Sequence, residues 1–293
     1  MTRHRFLIKL FSYIFLIITS FVMAYPVLFM ALGAFTTNER FLEVKFLPIP
    51  NTLNLELFSH AFYAVQDAYL LTFIRVLFYV TLTLLVGLIG GYIFSKLHFP
   101  GKHTIFLMFL MGMVMPTILM IVPMYLLAAW LPFAGGNDFL GRGGHGFIGE
   151  WPVLFMFGWV SPLAIFLLKQ SYDMLPKEYE DAAKVDGAGI LTIIFRVYAP
   201  LLKPPIAALV VITFLTIWND YLWPSLAITG SPDYYPIAFK IQGIGLRVSS
   251  SVGLSNYPAA MVLYFMATWP PALVYFLLQR FFIQGVVASG LKG

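Results

Sequence analysis

The sequence predicts an all-α, polytopic membrane protein with six transmembrane helices and both termini on the cytoplasmic side. Three observations predict it. Of the 293 residues, 60% are hydrophobic and only 11% are charged, whereas a soluble chain is nearer half apolar and a quarter charged. Apolar runs of spanning length recur along the chain, since about 20 helical residues cross the hydrocarbon. The cations fall unevenly on alternate loops, which orients the spans. Zero cysteines exclude disulfides and thiolate metal sites. The net charge of +5 is spread among loops rather than gathered into a patch, so it argues topology and not nucleic-acid binding.

Arg3, Arg5 and Lys9 precede an uncharged run, Leu10–Ala34. This run is longer than a signal-peptide core and shows no small-residue cleavage site, so it reads as a retained first span. Phe35–Asp67 follows as an external segment, broken at Pro48-Ile49-Pro50-Asn51, with an amphipathic surface helix expected over Leu53–Ala64. The remaining spans are Tyr69–Ser95, Thr104–Leu131, Trp151–Leu168, Pro205–Tyr221 and Pro258–Leu278. Pro26, Pro116, Pro123, Pro162, Pro270 and Pro271 interrupt them. Such prolines are tolerated when neighbours satisfy the freed carbonyls. The chain thus divides into residues 1–68, with the first helix and external segment, and a core of five helices over 69–293 containing a cytoplasmic loop, 173–203.

With the N-terminus inside, the inner segments hold Arg3, Arg5, Lys9, Lys96, Lys102, Lys169, Lys177, Lys184, Arg196, Lys203, Arg280 and Lys292. Outside fall Arg40, Lys45, Arg142, Lys240 and Arg247, and Arg75 lies within a span. The external loop Pro132–Glu150 is Gly-rich and expected to be flexible, a possible contact surface for an external binding protein. Its Gly141-Arg142-Gly143-Gly144-His145-Gly146 fits G-x-G-x-x-G by letter, but no strand precedes it and no parallel-sheet unit surrounds it.

The longest charge-bearing run between two apolar segments is Pro176–Pro200, PKEYEDAAKVDGAGILTIIFRVYAP. Pro176 suits a first helical position. Glu178, Glu180 and Asp181 sit at the favourable end of the helix dipole, and Glu180 and Lys184 form an i,i+4 pair. Gly187 and Gly189 are stop signals. A second helix, Ile190–Ala199, is expected to end at Pro200. Read alone, the stretch is a solvated loop between spans with a face of small residues that lets another backbone approach.

The run Asp181-Ala182-Ala183, three residues, Gly187, nine residues, then Val197-Tyr198-Ala199-Pro200 resembles the EAA-x3-G-x9-I-x-L-P loop of binding-protein-dependent ABC importer permeases. Pro176-Lys177-Glu178, Val185-Asp186-Gly187-Ala188, the Phe99-Pro100-Gly101 turn and the tail ending GVVASGLKG look like the carbohydrate branch, typified by maltose permease. Asp181 stands for the family's Glu, Val197 for Ile and Ala199 for Leu. The resemblance runs from about residue 70 to the end. It implies the type I ABC importer permease fold and a bacterial or archaeal cytoplasmic membrane. It also implies a pairing with a homologous permease, two cytoplasmic ATPases and an extracytoplasmic solute-binding protein. It further implies that ATP and Mg belong to the ATPases, and that this chain binds no cofactor and is not an enzyme. Glu180, Asp181, Ala182, Ala183, Asp186, Gly187 and Pro200 then become the coupling residues docked into the ATPase.

Trp218-Asn219-Asp220-Tyr221-Leu222-Trp223-Pro224 resembles another family stretch. Its rings either form an outer aromatic belt or stack on sugar in the pathway, with Trp218, Asn219, Asp220 and Tyr221 as candidates. Arg75 is unusual within a span. It either pairs with Asp220 or snorkels outward, or it lines the pathway and reads a carboxylate; the latter favours an anionic, uronate-type saccharide. Two other classes remain: an ion-coupled carrier, against which no repeat of the two halves is visible, and an intramembrane lipid-modifying enzyme, for which only Arg75 and Asp220 are charged within the spans. There is no GxxxxGK[ST], HExxH or GxSxG motif. His4, His60, His98, His103 and His145 lack metal-ligand spacing.

Overall fold

A computed structural model describes residues 3–44, 46–228, 234–250 and 256–290. Lys45 and Lys292 lie outside the described residues, as do the side chains of Arg3, Arg5, Arg247 and the tail from residue 282. The regular secondary structure among the described residues is all helical, with no strand among them.

The helices are α1 (Arg3–Ala34), α2 (Asn38–Glu43), α3 (Glu56–Lys96), α4 (Lys102–Val114), α5 (Thr117–Ala129), α6 (Pro162–Asp173), α7 (Glu178–Val185), α8 (Ile190–Thr192), α9 (Ala199–Leu201), α10 (Lys203–Trp218), α11 (Leu222–Ala227), α12 (Ile237–Ser250) and α13 (Tyr257–Gly290). A 3-10 turn covers Trp151–Phe155, and a π-helical turn, Ile193–Tyr198, joins α8 to α9. Among the described residues, the stretches Leu7–Ala34, Glu56–Lys96, Lys203–Ala227 and Tyr257–Phe281 are long and apolar enough to cross a bilayer, and α4 with α5 make a fifth if counted together.

Three expectations are corrected here. The surface helix over Leu53–Ala64 does not stand apart: α3 starts at Glu56 and runs without a break for 41 residues. The span Thr104–Leu131 is not one rod, because α4 and α5 meet at 102°. Met115, at φ −72° and ψ 117°, is extended, as the residue before a proline tends to be, and the helix breaks there. The span Trp151–Leu168 is not a continuous helix either. It is the 3-10 turn, an irregular stretch through Gly158 at φ +95°, then α6 starting at Pro162 with Ser161 capping the Ala164 amide at 3.3 Å. Pro26, Pro123, Pro270 and Pro271 remain inside helices.

By contacts the chain divides into two compact units, residues 1–66 with 241–269, and 67–240 with 270–293. The first is knit by aromatic rings. Phe41 stacks on Tyr257 at 5.6 Å and meets Phe29 edge-on at 5.6 Å, and Phe35 stacks on Phe58 at 4.8 Å. Most of α1 is exposed apolar surface, which in a bilayer is the side chains' preferred solvent.

The second unit is built on α3. Gly87, Gly90 and Gly91 lie against α6; a Cβ on Gly91 would sit 2.9 Å from Leu168 Cβ and 3.0 Å from the Lys169 amide nitrogen. Small residues let spanning helices approach this closely. Gly91→Leu should therefore lower the thermal midpoint of the purified protein, since overpacking costs about 1–3 kcal/mol. A midpoint equal to wild type would show that the contact yields freely.

The Gly-rich loop Pro132–Glu150, expected outside, is not a loose tether. Asn137 donates to the Ala129 and Leu131 carbonyls at 2.8 and 3.0 Å and accepts from the Gly144 amide at 2.9 Å. Asp138 accepts from the Leu140 and Arg142 amides. The glycines expected to loosen the loop instead permit its tight folding: a Cβ at Gly144 would come within 2.2 Å of the Gly135 carbonyl oxygen.

Candidate functional site

The charged loop folds into a helical corner with one face in and one face out. α7 ends in a Schellman closure. The Gly187 amide donates to the Lys184 carbonyl at 3.0 Å and the Ala188 amide to the Ala183 carbonyl at 2.9 Å, with Gly187 at φ +78° where a side chain would be strained. Gly189, read as a second stop, instead sits before α8 in extended geometry. The second helix also does not end at Pro200. It continues to Leu201 because the chain widens into the π turn, where the Ala199 amide reaches the Ile194 carbonyl. A proline ring clashes with the carbonyl four residues back in an ordinary α-helix; the wider turn is where that conflict is relieved.

Glu180 is the inward anchor of this corner. Its side chain is only 4% exposed. Tyr92 on α3 donates to it at 2.9 Å and Tyr198 on the π turn at 3.3 Å, while the Lys184 ammonium sits at 2.6 Å. Tyr92, Tyr172 and Tyr198 pack ring to ring beneath it, with Leu168, Ile193 and Ile194. Burial opposes the charged carboxylate, but the hydrogen bonds from Lys184, Tyr92 and Tyr198 outweigh it and hold Glu180 below the usual carboxylate range. Burial first, then the Glu180 charge, push the Tyr198 phenol up to about 12, so it stays a donor. The sign of the linkage follows: a depressed acid stabilises the corner above its unfolded range, and that support is lost as pH falls through the lower folded value. Hydrogen bonds to a charged group are worth about 1.5–3 kcal/mol each. Glu180→Gln should lower the melting temperature at pH 7 and flatten its decline as pH falls through and below the ordinary carboxylate range. An unchanged acid limb would show that the carboxylate is not the titrating group.

The outward face carries Asp181, Ala182, Val185, Asp186 and Gly187, all exposed. Val185 is 88% and Tyr179 48% exposed, an apolar surface on a charged loop. Ala183 turns inward with Ala188 and Ala199 against the tyrosine cluster, and Pro200 is exposed. The seven candidate coupling residues therefore separate into an outer set and the two inward residues, Glu180 and Ala183.

The candidate pathway residues separate in the same way. Arg75 on α3 is 1% exposed. Its Nη2 donates to Asp220 at 2.7 Å and its Nε to the Leu154 carbonyl at 3.3 Å. Tyr79 donates to the Leu154 and Phe157 carbonyls at 3.0 and 2.6 Å, and Thr83 to that of Trp159 at 3.4 Å. One face of α3 thus satisfies the backbone freed where the expected fourth span breaks, and the unusual arginine belongs to that repair. Trp218 and Trp223 are not an outer belt: Trp218 stacks on Phe214 at 5.4 Å and meets Phe73 edge-on, and the Trp223 indole donates to the Val153 carbonyl at 3.1 Å. Asn219 and Tyr221 are exposed.

Residues 84–287 match the model of the binding-protein-dependent transport system inner membrane component family. The chain belongs to this family. The permease is 28% identical to the lactose transport system permease protein LacG of Rhizobium radiobacter over 98% of both chains. It is 30% identical to the arabinooligosaccharides transport system permease protein AraQ of Bacillus subtilis, over 74% of this chain and 70% of that one. A solved bacterial ABC transporter involved in the import of the acidic polysaccharide alginate superposes with a TM-score of 0.79 at 17% identity, covering 96% of this chain and 99% of that one. The fold is therefore that of an ABC importer permease. The permease is an inner-membrane transport component rather than an enzyme, and its family works with an ATPase and a solute-binding protein.

Proposed function

We propose that this permease is one of two homologous, non-identical transmembrane subunits of a bacterial or archaeal importer that moves a sugar or oligosaccharide into the cytoplasm by alternating access. Two cytoplasmic ATPases, which bind ATP and Mg, power it, and an extracytoplasmic protein delivers the cargo. The observation that carries this reading is α7, held from beneath by Glu180 so that Asp181, Ala182 and Val185 face outward. That face fits a cleft on the ATPase. ATPase closure draws the two α7 corners together and opens the pathway outward; hydrolysis reopens the inner mouth. The names of the relatives, lactose and arabinooligosaccharide permeases, support a saccharide cargo. An anionic, uronate-type cargo gains nothing from Arg75, which is buried against Asp220. The folded outer loop, with Phe139 67% and Leu140 54% exposed, suits the binding protein. Reconstituted with its partners, the transporter should hydrolyse ATP faster when the loaded binding protein is added and accumulate labelled saccharide inside vesicles. Accumulation without any ATPase would sink the proposal.

The N-in, C-in topology is tested by cysteine labelling. Gly144 is unsuitable because its Cβ would clash, so the outer probe belongs at Phe139 and the inner one at Val185. A membrane-impermeant maleimide should label Phe139→Cys in intact cells and Val185→Cys only after permeabilisation. The opposite pattern inverts the chain and removes α7 from the ATPase.

A further inference from the structure

Where α3 ends and α4 begins, a cavity of about 310 Å³ lies beside α6. Lys102, His103 and Phe106 on α4, Ser95 on α3, and Lys169 and Asp173 on α6 line it. Lys102 Nζ donates to the Ser95 and Leu97 carbonyls at 3.1 and 2.8 Å. Lys169 Nζ lies 2.5 Å from Asp173 and 5.2 Å from the centre of the Phe106 ring, and Ser95 donates to Asp173 at 2.6 Å. Two ammonium groups and one carboxylate therefore line the pocket, and His103 stands exposed at the rim. One positive charge is left unmatched in a pocket that also has aromatic walls.

From the rim an apolar track climbs α4. His103, Leu107, Met111 and Val114 recur at three- and four-residue spacing and so share one helix face. Leu107 is 45%, Met111 61% and Val114 81% exposed. A cationic mouth at the end of two spans, continued by an exposed hydrocarbon stripe, matches an amphiphile with an anionic head and acyl tails. We propose that this cavity binds the phosphodiester headgroup of an anionic membrane phospholipid, with an acyl chain along Leu107, Met111 and Val114. Basic pockets between spanning helices at the membrane surface recognise such headgroups. The site is separate from α7 and from the Arg75–Asp220 pair, and it does not depend on which cargo the permease carries.

The test uses the assembled transporter, delipidated in detergent, with the melting temperature followed during titration of phosphatidylglycerol, phosphatidylcholine or inorganic phosphate. Phosphatidylglycerol should raise the midpoint well beyond phosphatidylcholine, and inorganic phosphate at millimolar concentration should not. Lys169→Gln should weaken the phosphatidylglycerol effect about fivefold in apparent affinity, the worth of one cation near a lipid surface. Lys169→Arg should retain it. The Lys169–Asp173 pair is partly exposed and so contributes little by itself, so both variants should melt near wild type without lipid. Equal stabilisation by the two lipids, or a Lys169→Gln response like wild type, overturns the proposal. Stabilisation by inorganic phosphate alone overturns the lipid and leaves a free-anion site.

Discussion

Arg75→Gln is expected to strip most folded permease from the membrane, and Asp220→Asn in the same chain to restore much of it. Breaking a buried ion pair by removing one partner costs about 3–5 kcal/mol, because the other charge is left uncompensated, while removing both can be close to neutral. Here the single change also withdraws the Nε donor from the Leu154 carbonyl, so recovery in the double variant should be partial. Tyr79 still reaches that carbonyl, which limits the remaining loss. The measurement is the amount of protein surviving mild detergent extraction, with transport normalised to it. A single variant present at wild-type levels but selectively unable to carry acidic saccharides would return Arg75 to the pathway.

Asp181→Lys should abolish transport while leaving the permease folded in the membrane. Its side chain is exposed on α7 and acts on the Glu180 partners Lys184 and Tyr198 through its charge alone, a weak effect at an exposed site, so the corner should hold. On the proposed docking, in which Asp181 meets a basic group in the ATPase cleft, reversing its charge costs at least the about 3–5 kcal/mol of an orphaned partner, or more than a hundredfold in docking. Ala182→Trp should loosen the ATPase by clash. Ala183→Trp is a poorer probe, because Ala183 packs inward against the permease's own tyrosine cluster and the change would damage this chain first. Co-purification of the ATPase with each variant distinguishes the cases. Wild-type transport by Asp181→Lys would end the coupling role.

The apolar runs and the charged loop were legible because length, hydropathy and residue spacing are local properties. α7 and its glycine stop were readable for the same reason. What stayed hidden depended on partners distant in sequence. Glu180 reads as an ordinary i,i+4 companion of Lys184; only Tyr92, 88 positions away, shows that it faces inward. The break in the expected fourth span was invisible because an apolar run predicts spanning length and not where its carbonyls find donors. A signal was nonetheless present: Thr72, Arg75, Tyr79 and Thr83 place polar groups on one face of an apolar helix. Gly87 and Gly91 likewise form a G-x-x-x-G pair, a recognised mark of close helix approach. The Gly-rich loop Pro132–Glu150 misled because glycine signals freedom in an isolated chain, whereas here it admits backbone where no Cβ fits.

The unbroken run of α3 has a mechanical consequence. Gly91 pins the rod against α6, Tyr92 beside it receives whatever α7 transmits through Glu180, and Arg75 lies sixteen residues further along. At 1.5 Å per residue that is an arm of about 24 Å. A tilt of 5° about the pinned glycine would carry Arg75 sideways by about 2 Å, enough to break a hydrogen bond of 2.7 Å. The same rod that roots α7 is thus a lever with a charged latch partway along it and its fulcrum where side chains are absent.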